Sequence, residues 1–159
     1  MKSFLVVFFV LLPSLLFAGN PDNHVALADL KSVNIICDVN VGEPHLLLTR
    51  LELIDETYSQ LLDASVTPTV VVAIRGEASR YITRDNQYVL PQHVDTKKAI
   101  QTIVAQFQRN GIRLEQCAIA ARARHIDPAD LLPGVELVKN GYISIVAYQA
   151  RGYALLPMD

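Results

Sequence analysis

Cys117 and the arginines that follow it are the residues of this chain best suited to chemistry. Cys117 lies where an apolar stretch, IRLEQC (112–117), meets an alanine-rich one, AIAARARHI (118–126). The first pattern predicts a strand and the second a short helix. A thiol at that junction would lie near unpaired backbone N–H groups, with Arg122 and Arg124 one to two turns further on. Both features favour a thiolate, which can attack a disulfide or accept a sulfur atom.

A packed, inert thiol is the alternative for Cys117, because free cysteines are often buried. Cys37 lies inside a second apolar stretch and alternates with Ile35 and Val39, which indicates a buried position. The two cysteines could form a disulfide, or exchange as a redox switch, only if their Cα atoms lie within about 7 Å. The sequence leaves that open. It contains no CxxC, which disfavours a thioredoxin-like dithiol.

Other common reaction sites have no signature in this sequence. The four histidines are scattered and no pair has metal-ligand spacing, so we expect no metal. There is no phosphate loop and no GxGxxG, so we expect no nucleotide cofactor. A GxSxG nucleophile motif is also missing. The formal net charge of −2 gives no reason to expect nucleic acid as a partner.

The first 18 residues have the pattern of a secretory signal peptide. Lys2 precedes an apolar run from Phe4 to Phe17, and Ala18 is a small residue at the expected cleavage point. The run is short for a membrane span and Pro13 interrupts it. We therefore expect residues 1–18 to be removed, leaving a periplasmic or secreted protein with no membrane contact.

Strand and helix patterns alternate along the rest of the chain. Residues 19–32 look like a flexible leader, and residues 33–159 like a single domain. Strands are predicted at 32–39, 67–76, 112–117 and 135–139, and helices at 45–63, 96–111, 118–126 and 141–153, with Asp95 capping the second. Residues 77–94 read as a short helix or turn plus loop. This order predicts an α/β fold with a mainly parallel sheet covered by helices on both sides.

The predicted fold directs attention to the carboxyl ends of the strands, where open parallel sheets form their sites. Cys117 ends the third strand. Arg75, Glu77 and Arg80 follow the second, and with Arg122 they are candidates for binding an anion. The alternative for these charged residues is an exposed, solvated turn.

Three stretches resemble the DsrE/DsrF-like family: residues 70–83, 110–138 and 141–156. The most specific part is G-[IV]-R-[LF]-E-x-C followed by D-P-x-D-L-L-P-G-V, here Gly111 to Cys117 and Asp127 to Val135. The resemblance implies a three-layer α/β/α domain with about five strands, assembled into trimers or hexamers. The helix at 45–63 and the closing segment 141–156, with Tyr142, Tyr148 and Tyr153, carry more apolar and aromatic residues than one small sheet face needs. They are the candidate subunit contacts, and the alternative for most of them is ordinary core.

The resemblance also implies a role in sulfur metabolism. In cytoplasmic members a cysteine near the equivalent strand end carries sulfur as a persulfide, and Cys117 matches it by position. An exported chain cannot meet tRNA, which excludes relay to tRNA thiolation. We therefore predict a sulfur carrier or sulfurtransferase-like protein whose partner is a small sulfur compound or another sulfur carrier. The alternative is a non-catalytic oligomeric binding module in which Cys117 is structural.

Overall fold

A computed structural model describes residues 21–159, and these residues form one five-stranded sheet in which all strands are parallel. The strands are β1 (Ser32–Val39), β2 (Thr67–Ile74), β3 (Arg113–Cys117), β4 (Val135–Val138) and β5 (Ala154–Pro157), in the order β4-β3-β2-β1-β5. The predicted signal peptide lies outside the described residues. Within them, no helix combines the length and the apolar character needed to cross a membrane.

Helices cover both faces of the sheet, which confirms the three-layer α/β/α class. They are α1 (His24–Leu27), α2 (Pro44–Asp63), α3 (Val94–Arg109), α4 (Ala118–Ala123) and α5 (Gly141–Ala150). The apolar stripes of α2 and α3 pack on one face in the main core, where Leu47, Leu51 and Phe107 are fully buried. Helix α5 packs on the other face over Ile36, Val71 and Ala73 through Ile145. Strands buried on both faces explain the nearly continuous apolar runs of β1 and β2.

Several predicted boundaries were wrong. The last helix ends at Ala150 rather than 153, because a turn at Gly152 (φ +86°) leads into β5, a short edge strand paired only with β1. Asp95 does not cap α3, since His93 occupies the N-cap position and Asp95 lies in the first turn. The alanine-rich helix ends at Ala123.

Two segments outside the strands also differ in detail from the sequence prediction. Residues 77–94 form three short 3₁₀ turns, Gly76–Tyr81, Asn86–Tyr88 and Pro91–His93. The predicted leader contains α1. The flexibility of the leader and the single-domain boundary stay predictions.

Candidate functional site

Cys117 lies at the carboxyl end of β3 and is 3% exposed. Its side chain points to the α5 face of the sheet, against Gly141, the first residue of α5. A Cβ added at Gly141 would lie 3.1 Å from the Cβ of Cys117 and 3.7 Å from its Sγ. The backbone of α5 can therefore approach the sulfur only because residue 141 has no side chain.

Two helices begin near Cys117: α4, as predicted, and α5, which was not predicted there. Cys117 is the N-cap residue of α4, but its side chain makes no capping hydrogen bond there. On α5, Asn140 is the N-cap and its Oδ1 accepts the N–H of Tyr142 at 3.0 Å. Gly141 is the first helical residue, so its own N–H has no acceptor within the helix. The peptide dipoles at the start of α5 thus lie close to Cys117, which is also the N-cap of α4.

Arg75, which follows β2, lies near Gly141 and Cys117. Its Nε and Nη2 each donate to a carboxylate oxygen of Asp38 at 2.6 Å, and Nη1 donates to the Tyr142 hydroxyl at 3.0 Å. The guanidinium carbon also lies 4.6 Å from the centroid of the Tyr142 ring. The hydrogen bonds to Asp38 raise the pKa of Arg75. We call Asp38, Arg75 and Tyr142 the clamp; the Asp38 carboxylate pairs with its arginine.

Glu77 and Arg80 lie in a separate cleft. The Glu77 carboxylate accepts from Arg80 Nε at 2.7 Å and lies 2.7 Å from Arg124 Nε, so two arginines share one acid. This cleft has a volume of about 390 Å³ and also contains Tyr81 and His93. Arg124 was predicted to favour a thiolate at Cys117, but it forms an ion pair with Glu77.

Arg122 is exposed and lines a third space, a groove of about 660 Å³. The groove is lined by α4, the turn after it and Leu137 of β4, and Cys117 is not part of its lining. Among the described residues, Arg122 has no acidic partner within ion-pair distance. The predicted site residues are thus divided among three places at one edge of the sheet.

Cys37 lies on the opposite face of the sheet from Cys117. It is 1% exposed in the core with Leu47 and Leu51, and burial raises its thiol pKa to about 12. Strand β2 separates β1 from β3, which adds two strand spacings of about 4.8 Å between the cysteines. Both thiols are free. The geometry therefore contradicts a disulfide or exchange between Cys37 and Cys117 in the folded chain.

Sequence reasoning did not identify three residues that shape this site: Asp38 as the partner of Arg75, Tyr142 above it, and Gly141 against the sulfur. Asp38 and Arg75 could have been paired, because both end neighbouring parallel strands. Gly141 could be placed at the same edge because it follows the fourth strand, but its contact with the sulfur depends on where α5 crosses the sheet. In the part of the chain that the structure describes, no three His, Cys, Asp or Glu side chains converge as metal ligands would.

Comparison with known proteins agrees with the fold. A protein of unknown function, MTH1491 from Methanobacterium thermoautotrophicum, superimposes with a TM-score of 0.63 at 20% identity, covering 79% of this chain and 98% of that one. An uncharacterized protein from Aquifex aeolicus (strain VF5) is 27% identical over 161 aligned residues. That match covers 99% of this chain but only 64% of the relative's length.

A family comparison adds a functional direction. The model of the DsrE/DsrF-like family matches residues 49–158, which include every strand except β1, together with α3, α4, α5 and Cys117. Such a match points to a function related to sulfur metabolism. On this ground, the chain belongs to the DsrE/DsrF-like family.

Proposed function

We propose that this chain handles sulfur outside the cytoplasm by carrying it as a persulfide on Cys117. The observation that carries the proposal is the place of Cys117 at the carboxyl end of β3, with its Sγ against Gly141 at the start of α5. Its periplasmic or secreted location rests on the signal-peptide pattern of residues 1–18.

The backbone next to Sγ suits a negatively charged outer sulfur. Because residue 141 has no side chain, the start of α5 faces Sγ directly. The N–H of Gly141 has no acceptor within α5, and the positive end of that helix favours negative charge on the outer sulfur.

The transfer step balances with a simple sulfur donor. The Cys117 thiolate attacks the outer sulfur of thiosulfate, a sulfur–sulfur bond forms at Cys117, and the donor's sulfur–sulfur bond breaks. Sulfite leaves with the electron pair, and the protein is left with a persulfide anion. Polysulfide reacts in the same way and leaves as a chain shorter by one sulfur.

Access to Cys117 requires movement, because the residue is 3% exposed. The side chain that can move most readily is Tyr142, which is 59% exposed and held by Arg75. Rotamer changes of exposed side chains are fast. A donor could therefore reach the sulfur by displacing one ring, without unfolding β3 or α4.

The direct test is mass spectrometry of the chain after incubation with thiosulfate or polysulfide. We expect the peptide containing Cys117 to gain one or more sulfur atoms, and Cys117→Ser to gain none there. Cys37→Ser is the matched control and should load like the wild type. A wild-type protein that never gains sulfur at Cys117 would remove the proposal.

A second variant tests the close approach of α5 to Cys117 at Gly141. In Gly141→Ala the new Cβ would lie 3.1 Å from the Cys117 Cβ, so we expect less persulfide to accumulate. Gly111→Ala is the control: its Cβ meets nothing within 4 Å, but its φ of +74° makes the substitution destabilising. If Gly141→Ala accumulates as much persulfide as the wild type, the close approach of α5 to Cys117 has no part in holding the second sulfur.

The low exposure of Cys117 favours a second candidate function, a non-catalytic oligomeric binding module with a structural cysteine. The two candidates differ in the rate of thiol labelling. A carrier should be labelled at Cys117 in the native state. A structural cysteine should react only when the chain unfolds.

A further inference from the structure

Arg75 and Cys117 approach the same point at the start of α5. A Cβ built on Gly141 would lie 3.7 Å from the Sγ of Cys117 and 3.9 Å from the Cβ of Arg75. The sum of these two distances is the largest separation that Sγ and the Arg75 Cβ can have. It is within the combined length of an arginine side chain and one hydrogen bond. The hydrogen bond to Asp38 is the largest cause that raises the pKa of Arg75, and the charge of a Cys117 thiolate adds to it.

Asp38 occupies only one edge of the Arg75 guanidinium. A guanidinium carries five N–H donors in a planar fork. Asp38 accepts from Nε and from Nη2, each at 2.6 Å, and these two donors form the side edge of the fork. The end edge consists of Nη1 and the second hydrogen of Nη2. Within residues 21–159, that edge donates one hydrogen bond, from Nη1 to the Tyr142 hydroxyl at 3.0 Å. Arg75 therefore keeps donors that Asp38 orients but does not use.

The Tyr142 hydroxyl occupies the place of a ligand oxygen on the end edge of Arg75. Tyr142 is 59% exposed, so its hydrogen bond to Nη1 lies at the surface and water can replace it. An ionised oxygen is a stronger acceptor for a guanidinium than a neutral hydroxyl, and the planar fork matches two oxygens of one oxyanion. Displacing the ring, as access to Cys117 requires, frees the sulfur and this edge of Arg75 in one movement.

We propose that Arg75 selects the sulfur donor by binding its leaving group, and that the donor is a sulfur compound with an oxyanion leaving group, such as thiosulfate. The Cys117 thiolate attacks the outer sulfur, the donor's sulfur–sulfur bond breaks, and sulfite leaves with the electron pair. Its oxygens accept from Nη1 and Nη2 of Arg75. Negative charge grows on those oxygens as the bond breaks, so the two donors stabilise the transition state more than the bound donor. This inference rests on the proposed function and names the substrate class of that site.

The kinetic test compares thiosulfate with polysulfide as donors, following sulfur gain at Cys117 by mass spectrometry. Arg75→Lys keeps a cation beside Asp38 but loses the planar fork. We expect it to lower the ratio of the thiosulfate rate to the polysulfide rate about tenfold, as for one lost charge-assisted hydrogen bond, because polysulfide has no oxygen to accept it. Continued loading from polysulfide shows that the variant is folded around Cys117. Equal losses with both donors overturn the inference.

Two controls separate donor selection from opening of the site. Tyr142→Phe loses the same hydrogen bond between Arg75 and Tyr142 but keeps the guanidinium, so the ratio of the two rates should stay at the wild-type value. Arg84→Lys makes the same replacement in an arginine that pairs with Asp130, and it should change neither rate. A ratio that falls as far in Tyr142→Phe as in Arg75→Lys would assign the effect to the ring and overturn the inference.

A binding measurement separates this inference from the proposed function. Sulfate has the oxyanion but no sulfur to transfer, and at constant ionic strength it should shift the Gly141 amide signal in nuclear magnetic resonance spectra saturably. We expect Arg75→Lys to weaken this binding about tenfold. Tyr142→Phe should strengthen it several-fold, because no hydroxyl competes for Nη1.

The outcomes for the two proposals differ. A wild type that loads from polysulfide but not from thiosulfate, or sulfate binding that Arg75→Lys leaves unchanged, overturns the inference while the proposed function stands. Sulfate binding through Arg75 without loading of Cys117 from either donor overturns the proposed function and retains the oxyanion as the ligand class of Arg75.

Discussion

Cys117 and Cys37 are the same residue type in different surroundings. Cys37 lies within β1 and packs among aliphatic side chains, where burial raises its thiol pKa to about 12. Cys117 ends its strand beside the backbone of Gly141 and the side chain of Arg75. A thiol in the middle of a buried strand has no polar group to stabilise its anion. Position along the strand therefore selects Cys117 as the candidate carrier.

One lysine is buried in the core, although lysine side chains are rarely fully buried in proteins. Lys97 is fully buried on α3, where its Nζ donates to Thr83 Oγ1 at 2.9 Å and to the carbonyl of Asp85. Burial lowers its pKa below 10.5, and the nearby Asp130 and Asp85 carboxylates oppose that shift. The ammonium thus joins α3 to the loop after β2.

We expect Lys97→Met to lower the free energy of unfolding by about 1.5–3 kcal/mol, because Thr83 and Asp85 lose a charged donor. Between the lowered pKa and 10.5, the unfolded wild type binds more protons than the folded one. The Lys97 contribution to wild-type stability therefore rises with pH in that interval. The deficit of Lys97→Met, meaning its loss of unfolding free energy relative to the wild type, should grow accordingly. Urea unfolding at several pH values from 7 to 10 measures this difference.

Lys98→Met is the control for that experiment, since Lys98 is exposed and pairs only with Asp95. Its effect on stability should be small and independent of pH. A constant or shrinking deficit for Lys97→Met would show that the Lys97 pKa is not lowered in the folded chain.

At the scale of elements, the clamp joins the ends of β1 and β2 to the start of α5. Asp38 and Arg75 are about one-sixth exposed, at 17% and 18% of their side-chain areas. Their two short hydrogen bonds fix the guanidinium on which the Tyr142 ring stacks. The clamp thus holds α5 over the edge of the sheet where Cys117 lies.

Removing the Tyr142 ring should expose Cys117. Tyr142→Ala loses a cation–π contact and a hydrogen bond, together worth roughly 1–2 kcal/mol. We expect native-state labelling of Cys117 by a thiol reagent to become about tenfold faster, because that energy determines what fraction of molecules have the sulfur open to the reagent. Tyr142→Phe keeps the stack and loses only the hydroxyl, so its labelling rate should lie between those of the wild type and Tyr142→Ala. An unchanged rate in Tyr142→Ala would mean that another element controls access.

For the whole molecule, the two faces of the sheet are covered unequally. Helices α2 and α3 pack on one face, whereas α5 on the other leaves Tyr142, Ile143 and Val146 between 59% and 66% exposed. Tyr148 and Tyr153, also predicted as subunit contacts, instead pack against each other with ring centroids 4.8 Å apart. The Tyr148 hydroxyl donates to buried Glu115 at 2.9 Å. We propose that the outer face of α5 contacts other copies of this chain in trimers or hexamers.

Charge on that face should break the assembly. We expect Ile143→Lys combined with Val146→Lys to reduce the mass in light scattering from that of a trimer or hexamer to that of one chain, because lysine cannot be buried unpaired. Leu90→Lys, at an exposed leucine in a loop, is the control and should keep the assembly. A monomeric wild type would contradict the proposal. Dissociation by Leu53→Lys alone would assign the contact to α2 instead.

The sequence by itself determined the α/β class, the bounds of β1, most of α2 and the place of Cys117 at the end of a strand. Each depends on apolar periodicity among residues close in the chain, because such periods reflect which face of a helix or strand is buried. The fifth strand had no comparable signal. ALLP is too short for periodicity, and it becomes a strand only because β1 offers it an open edge.

Only the tertiary structure decided what surrounds Cys117. Strand order separated it from Cys37, placed Gly141 against its sulfur, and paired Arg75 with Asp38. In the folded chain, Glu77 and Arg80 lie in one cleft and Arg122 lies in a separate groove. These contacts join residues that are distant in sequence, and they depend on the order in which strands pair and on where α5 crosses them. No local pattern carries that information.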